Sequence, residues 1–294
     1  MIEREDIEFL SEGLRCKGWF FRSLVKNRPY CIVIAHGFCG VKEMRLDTYA
    51  GAFADAGYST LVFDYRHFGG SQGEPRQILD IKKQHQDWHA AIRFARELPG
   101  IDPEKIILWG TSFSGGHVIP VAVKDGRIVA VISQVPHLNG IATVLANKTV
   151  QNMRLGIAAW RDMVRMILGR SPYYVPAVGQ PGDLAAMTAP DAEEGVKRLC
   201  TEGFEPNTDV AARIFLSVGL YSPGRLAGKM DMPWLVQAAS HDMTTPVGPA
   251  IKAVMSAPKS QLIIYKCGHF DVYVEPRFDQ TIGDQITFLN NCLE

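Results

Sequence analysis

Neither sign of charge is in excess in this chain. Its 294 residues hold 31 Lys and Arg against 31 Asp and Glu, a formal net charge of +0, so no global field gathers nucleic acid or an anionic membrane. Long apolar runs are missing too, and none approaches the ~18 residues of a membrane span. The six cysteines (Cys16, Cys31, Cys39, Cys200, Cys267 and Cys292) form no CxxC pair and no metal-ligand spacing. Cys16, Cys31 and Cys267 lie in apolar, strand-like surroundings, where cysteine acts as a small hydrophobe. The opening MIEREDIEFL is charged and lacks the apolar centre of a secretion signal, so a reduced, cytoplasmic protein is expected. Gly69-Gly70-Ser71-Gln72-Gly73 is glycine-rich, but no helix start with lysine follows it as in a phosphate loop. Pairs such as Asp80 and His85 lack a third ligand. Neither a cofactor nor a metal is expected.

What is present is a globular composition, 47% hydrophobic and 21% charged, and a clear rhythm. Residues 7–10 and 14–22 read as two strands joined by Ser11-Glu12-Gly13, a hairpin by length and turn chemistry. Residues 31–35, Cys-Ile-Val-Ile-Ala, are an unbroken apolar run, as in a strand buried on both faces of a parallel sheet. Helix and strand then alternate: helix 46–56, strand 60–63, amphipathic helix 78–98, strand 106–109, helix 113–123, strand 129–135. Such alternation predicts an α/β, doubly wound, mostly parallel sheet.

After Pro136 the rhythm breaks. Residues 137–232 carry helix-like stretches (147–168, 191–201) separated by a segment rich in Pro and Gly (171–182). Alternation resumes with strand 234–238, a helix near 249–256, strand 261–265 and a last helix 282–292. The expected organisation is one core domain, 1–136 together with 233–294, interrupted by a mostly helical insertion, 137–232.

Strand 106–109 runs straight into Gly110-Thr111-Ser112-Phe113-Ser114-Gly115-Gly116. A sharp strand-to-helix turn forces its middle residue toward positive φ and lifts that side chain clear of the sheet. Residues two before and two after must be small, and Gly110 and Ser114 are. Ser112 is therefore placed as a nucleophile at a helix N-terminus; the bland alternative is a plain glycine-rich turn. His269, just after strand 261–265, belongs to the same carboxyl edge, where catalytic groups of open α/β sheets gather. His85, His89 and His117 lie within helices, and His137 could line a pocket. Asp242 follows strand 234–239 and can accept the Nδ1 proton of His269, or it can simply cap a helix ahead of Pro246. Asp231 precedes its strand, Asp271 is too close in sequence to His269, and Asp64 beside Tyr65-Arg66 suggests a structural ion pair. His36-Gly37-Phe38 ends the first parallel strand, where the N–H of Phe38, with that of Phe113, would form an oxyanion hole.

Taken together these residues resemble the α/β-hydrolase fold over nearly the whole chain outside the insertion. The likeness rests on His36-Gly37-Phe38, on Asp64-Tyr65-Arg66-His67-Phe68-Gly69 with Ser71, on 110–116, on Asp242 with Pro246, and on Gly268-His269. The order Ser, Asp, His is the one that family uses. The run from Gly110 to His117 is similar to that of members related to dienelactone hydrolases and to hydrolases or acyltransferases of polyketide products. Its GxSxS departs from the commoner GxSxG but keeps a small residue where the turn needs one. The resemblance implies that residues 137–232 form a helical cap, or lid, over the pocket.

The function expected is that of a serine hydrolase with Ser112, Asp242 and His269 as triad and Phe38 and Phe113 as oxyanion donors. It would cleave a carboxylic ester or thioester of a medium-sized, largely apolar substrate through an acyl-enzyme. His137, Trp160, Met163 and Tyr173 are the expected pocket residues, although Met and aromatic side chains at helical spacing are as a rule ordinary core. One triad serves several chemistries, so an acyltransferase, a peptidase, a C–C hydrolase or a non-catalytic ligand-binding protein stays open. The expected partner is a small-molecule substrate, with no nucleic acid and no membrane; a homodimer is left open.

Overall fold

The computed structural model describes residues 3–25, 28–146 and 149–293. Two strands, β1 (Glu3–Ser11) and β2 (Leu14–Arg22), pair as an antiparallel hairpin over the turn Glu12-Gly13. The main series follows: β3 (Cys31–Ala35), α1 (Leu46–Asp55), β4 (Ser59–Phe63), α2 (Ile81–Glu97), β5 (Ile106–Thr111), α3 (Phe113–Asp125) and β6 (Ile128–Gln134). Between β6 and β9 lie α4 (Gly140–Ala146), α5 (Thr149–Ile167), β7 (Tyr174–Val175), α6 (Ala192–Leu199) and β8 (Val210–Ala211), with 3₁₀ turns at Ala212–Leu216, Val218–Leu220 and Pro223–Lys229. The chain closes with β9 (Trp234–Ala239), α7 (Val247–Ser256), β10 (Ser260–Tyr265) and α8 (Arg277–Leu293). The helix expected to start at Asn147 begins outside the described residues.

Eight strands form one sheet in the order β1-β2-β4-β3-β5-β6-β9-β10. The hairpin joins antiparallel through β2 and β4, and the six strands from β4 to β10 are parallel. Strands β3, β4, β5 and β9 are buried at every residue, because helices cover both faces. Alternate residues serve opposite cores, as the period of a strand requires. Val33, Phe63, Leu108 and Val236 pack against α2, α3 and α7 on one side. Ile34, Val62, Trp109 and Leu235 pack against α1 and α8 on the other. Both cores end at the carboxyl edge of β3, β5, β6, β9 and β10, leaving the following loops to build a site there.

Residues 137–232 have a smaller apolar cluster of their own, Leu155, Ala158, Val175 and Ala212. Their chief polar fastening is Asp162, whose fully buried carboxylate takes both Nε and Nη2 of Arg213, at 2.7 and 2.9 Å, and the amides of Tyr173 and Arg213. Burial alone would raise this carboxyl; the hydrogen bonds and charge of Arg213 hold it below the usual carboxylate range. The buried ion pair foreseen around Asp64 has a different partner. Asp64 meets the Lys42 ammonium at 2.8 Å, while Arg66 turns to Asp87 at 2.6 Å. Arg66 lies in the turn after β4, where the chain is no longer extended, and there it faces Asp87 of α2 instead.

Candidate active site

β5 passes into α3 through Ser112, whose φ is 55° and ψ −118°. A non-glycine residue rarely holds this conformation unless its surroundings impose it. Here the end of β6 and the loop after it clamp it on both sides: Ser112 N–H donates to Gln134 O at 2.8 Å, and Ser112 O accepts from His137 N–H at 2.8 Å. Close packing explains the small neighbours. A Cβ on Gly110 would lie 2.3 Å from Ser114 O, and one on Gly37 would lie 2.9 Å from Ser112 Cβ. Ser114 has a task that glycine could not perform. The buried Tyr65 hydroxyl accepts from Trp88 Nε1 at 2.7 Å and sits 2.6 Å from Ser114 Oγ, which completes its bonding.

The loop after β10 brings His269 to the turn with its side chain 2% exposed. Its Nε2 lies 3.1 Å from Ser112 Oγ and its Nδ1 2.7 Å from Asp242 Oδ2. An ionised carboxylate only accepts, so Nδ1 carries the proton and Nε2 presents its lone pair to the serine hydroxyl. Asp242 is anchored in turn by the amides of Thr244 and Thr245 at 2.8 and 2.6 Å and by Thr245 Oγ1 at 2.8 Å. Burial pushes the Asp242 carboxyl up, but the charge and hydrogen bond of His269 and the Thr245 bonds outweigh it, so the group is held below its ordinary value. Thr245 Oγ1 also lies 3.0 Å from the carbonyl of Val135. Val135 has a φ of 38°, an outlier for a β-branched residue, and it aims that carbonyl at the threonine. The helix-cap alternative for Asp242 does not describe this loop, since Pro246 is the residue that precedes α7.

Phe38 and Phe113 meet edge to face, ring centroids 5.6 Å apart. Phe113 opens α3, so its N–H has no acceptor within the helix and lies at the positive end of the helix dipole. Neither its amide nor that of Phe38 donates to another backbone group among the described residues.

Two cavities meet at Ser112. The larger, about 150 Å³, lies under residues 137–232 and is lined by Phe113, Val144, Leu155, Phe215 and Val218 among others, with polar points at His137, Thr143, Asn152 and Thr244. The smaller, about 50 Å³, is lined by Met44, Leu46, Val196, Leu199, Phe270 and Tyr273, and His269 borders this one. Phe38, Ser112 and Met187 border both. No Lys, Arg, Asp or Glu lines either among the described residues. Burial lowers the His137 imidazole to about 4, against a small opposing pull from the Tyr221 carbonyl, so it is neutral at pH 7. Thr244 Oγ1 is buried with no hydrogen-bond partner among the described residues. Among the described residues no group of His, Cys, Asp and Glu is arranged to hold a metal ion, and no helix is long and apolar enough to cross a membrane.

The structure thus gathers Ser112, Asp242, His269, Phe38, Phe113 and His137 at one place. It does not bring Trp160, Met163 or Tyr173 to either cavity. Trp160 is 65% exposed on the outer side of α5. The inner side of that helix carries Asn152, Leu155 and Gly156, so rotation along the helix, and not side-chain size, decides what faces the substrate space. Met163 is half-buried beside Trp160, and Tyr173 packs on the small cluster of the 137–232 segment with Arg161 over its ring at 4.2 Å. Missed in the sequence were Met187, Val218 and the pair Thr244 and Thr245. The threonines directly follow the acid in His241-Asp242-Met243-Thr244-Thr245-Pro246 and could have been suspected; nothing local marks Met187 or Val218.

A strand-turn-serine, an acid loop and a histidine loop on one carboxyl edge define a hydrolase-type α/β sheet. The chain belongs to the alpha/beta hydrolase family, whose model matches residues 32–279. It is 39% identical over 288 residues to the quorum-quenching protein AidA of Acinetobacter baumannii, covering 98% of this chain and 95% of that one. It is 43% identical to the thiohydrolase aneE of Aspergillus aculeatus over 132 residues, 45% of this chain and 41% of that one. Among solved structures, the alpha/beta hydrolase GrgF from Penicillium sp. sh18 superposes with a TM-score of 0.85 at 23% identity, covering 99% of each chain, which shows the shared fold.

Proposed function

We propose that this protein is a serine hydrolase that cleaves an uncharged carboxylic ester or thioester through an acyl-Ser112 intermediate. The observation that carries the reading is the continuous relay of 3.1 and 2.7 Å from Ser112 through His269 to Asp242, ending on a strained serine at the mouth of an uncharged cavity. Ser112 Oγ attacks the carbonyl carbon while His269 Nε2 takes its proton; Asp242 stabilises the imidazolium. The amides of Phe38 and Phe113 hold the oxyanion. Collapse of the tetrahedral adduct expels the alcohol or thiol, which His269 reprotonates. Water then repeats the sequence on the acyl-serine.

Proton return divides the site. The leaving atom must lie within reach of His269, which borders the small cavity, so the leaving group occupies that cavity and the acyl chain the large one. The apolar lining of the large cavity suits a medium-sized apolar acyl group, and the absence of cationic side chains from both linings disfavours an anionic substrate. Similarity to a thiohydrolase supports including thioesters. In this reading residues 137–232 act as the lid. The test is labelling by a fluorophosphonate probe, followed by turnover of p-nitrophenyl esters and acyl thioesters of graded length. Stoichiometric labelling lost in Ser112→Ala, with turnover of neutral substrates, is expected; an unlabelled protein that turns over none of them overturns the reading.

A further inference from the structure

Helix α5 is apolar on two opposite sides. Leu155, Ala158 and Ala159 are buried against the protein. On the outer side Val150, Met153, Ile157, Trp160, Val164 and Ile167 are 67, 63, 69, 65, 50 and 74% exposed. Their steps along the chain are three, four, three, four and three residues. That alternation is the seam of a helix packed along another helix. Six such side chains offer roughly several hundred Å² of apolar surface, at the upper end of what a solitary protein leaves in water and approaching the ~800 Å² per partner of a stable interface.

The spacing reads the same in both directions. A two-fold axis crossing α5 between Ala158 and Ala159 would set Val150 against Ile167 of a second copy, Met153 against Val164 and Ile157 against Trp160, so every seam position meets an apolar one. Such self-complementarity is what an isologous contact demands. The charges nearest the seam leave it clear. Arg154 donates to Gly182 O at 2.6 Å, Arg161 lies over Tyr173, and Arg165 donates to Ser171 O at 2.6 Å, so all three arginines of α5 are drawn back onto their own chain. Arginines folded away in this manner do not present themselves to anionic lipid, and the chain as a whole has a formal net charge of +0.

We propose that the outer side of α5 is the two-fold contact of a homodimer, packed antiparallel against α5 of a second copy. Sedimentation of the full chain at micromolar concentration tests it. The wild type is expected at twice 32.6 kDa, and the Ile157→Glu, Trp160→Glu double variant at 32.6 kDa with an unchanged circular-dichroism spectrum, since both positions are exposed. The register has its own test. Under mild oxidation Met153→Cys with Val164→Cys is expected to give a covalent dimer. Met153→Cys alone is not, because the two copies of residue 153 are then offset by about 16 Å along the helix. A monomeric wild type, a dimer that survives the double glutamate, a covalent dimer from the single cysteine, or wild-type binding to anionic phospholipid vesicles that the double variant loses would each overturn the proposal.

Discussion

The sheet and the 137–232 segment are built by opposite economies. In the sheet, β3, β4, β5 and β9 are buried residue by residue in two extensive apolar layers. The segment's own cluster has four buried apolar residues beside one enclosed carboxylate-guanidinium pair. Other buried apolar residues of the segment, such as Leu199, Val210 and Ile214, join the two layers of the sheet, and its longest helix leaves seven large apolar side chains in solvent. The sheet supplies Ser112 and the loops bearing Asp242 and His269; the segment supplies most of the wall of the larger cavity. On the proposed function, chemistry would rest on the sheet and its loops, and substrate choice largely on the segment that walls the larger cavity.

The sharpest way to separate the two is Ser112→Ala. Turnover of esters is expected to fall by about 10⁴–10⁶-fold, with the thermal midpoint and the exchange protection of both regions preserved. Loss of folding in that variant would mean that the serine is part of the scaffold. Next in size is Asp162→Ala, which strands the Arg213 guanidinium. Breaking a buried pair in this way costs about 3–5 kcal/mol, and here the loss should be local. Hydrogen exchange should accelerate in residues 140–216 while the amides of β3, β5 and β9 stay protected; uniform acceleration would show that the two regions unfold as one.

Ser114→Ala probes the sheet side. It removes the hydroxyl that lies 2.6 Å from that of Tyr65, at a cost of about 1–2 kcal/mol, and should lower the denaturation midpoint while leaving ester turnover within a few-fold. A drop of decades in turnover would place Ser114 in the chemistry. The smallest effect concerns pH. The Asp242 carboxyl is depressed in the folded protein by His269 and Thr245. Its contribution to stability is therefore complete above the unfolded-chain value of about 3.9 and is lost as pH falls through the lower folded value. The stability difference between wild type and Asp242→Asn, followed by urea denaturation, should shrink as pH drops from 5 to below 3. A difference that widens on acidification would contradict the depressed carboxyl.

The same contrast explains what could be read in advance. Unbroken apolar runs such as 31–35 and 106–109 admit one architecture, and Gly110 with Ser114 betrays a turn whose crowding is a backbone property. Those signals are local, so the parallel sheet and the positions of Ser112, Asp242 and His269 were legible. The wall of the large cavity was not. Trp160, Met163 and Tyr173 have the size of pocket residues, yet the rotation of α5 about its axis depends on Asp162 finding Arg213 fifty-one residues later, and no local pattern encodes that. Asp64 was misread for a related reason: its partner Lys42 lies 22 residues away, whereas the arginine two places along only looked convenient.

Met187 stands where the two cavities touch and borders both. An unbranched thioether with three rotatable bonds is able to change rotamer, and on the proposed function such a swing would enlarge the space on one side at the expense of the other. A substrate bulky at one end should be tolerated when it is slight at the other, and selection would act on total length across Ser112. Replacing this one residue by alanine would merge the rooms and trade that reciprocity for indifference.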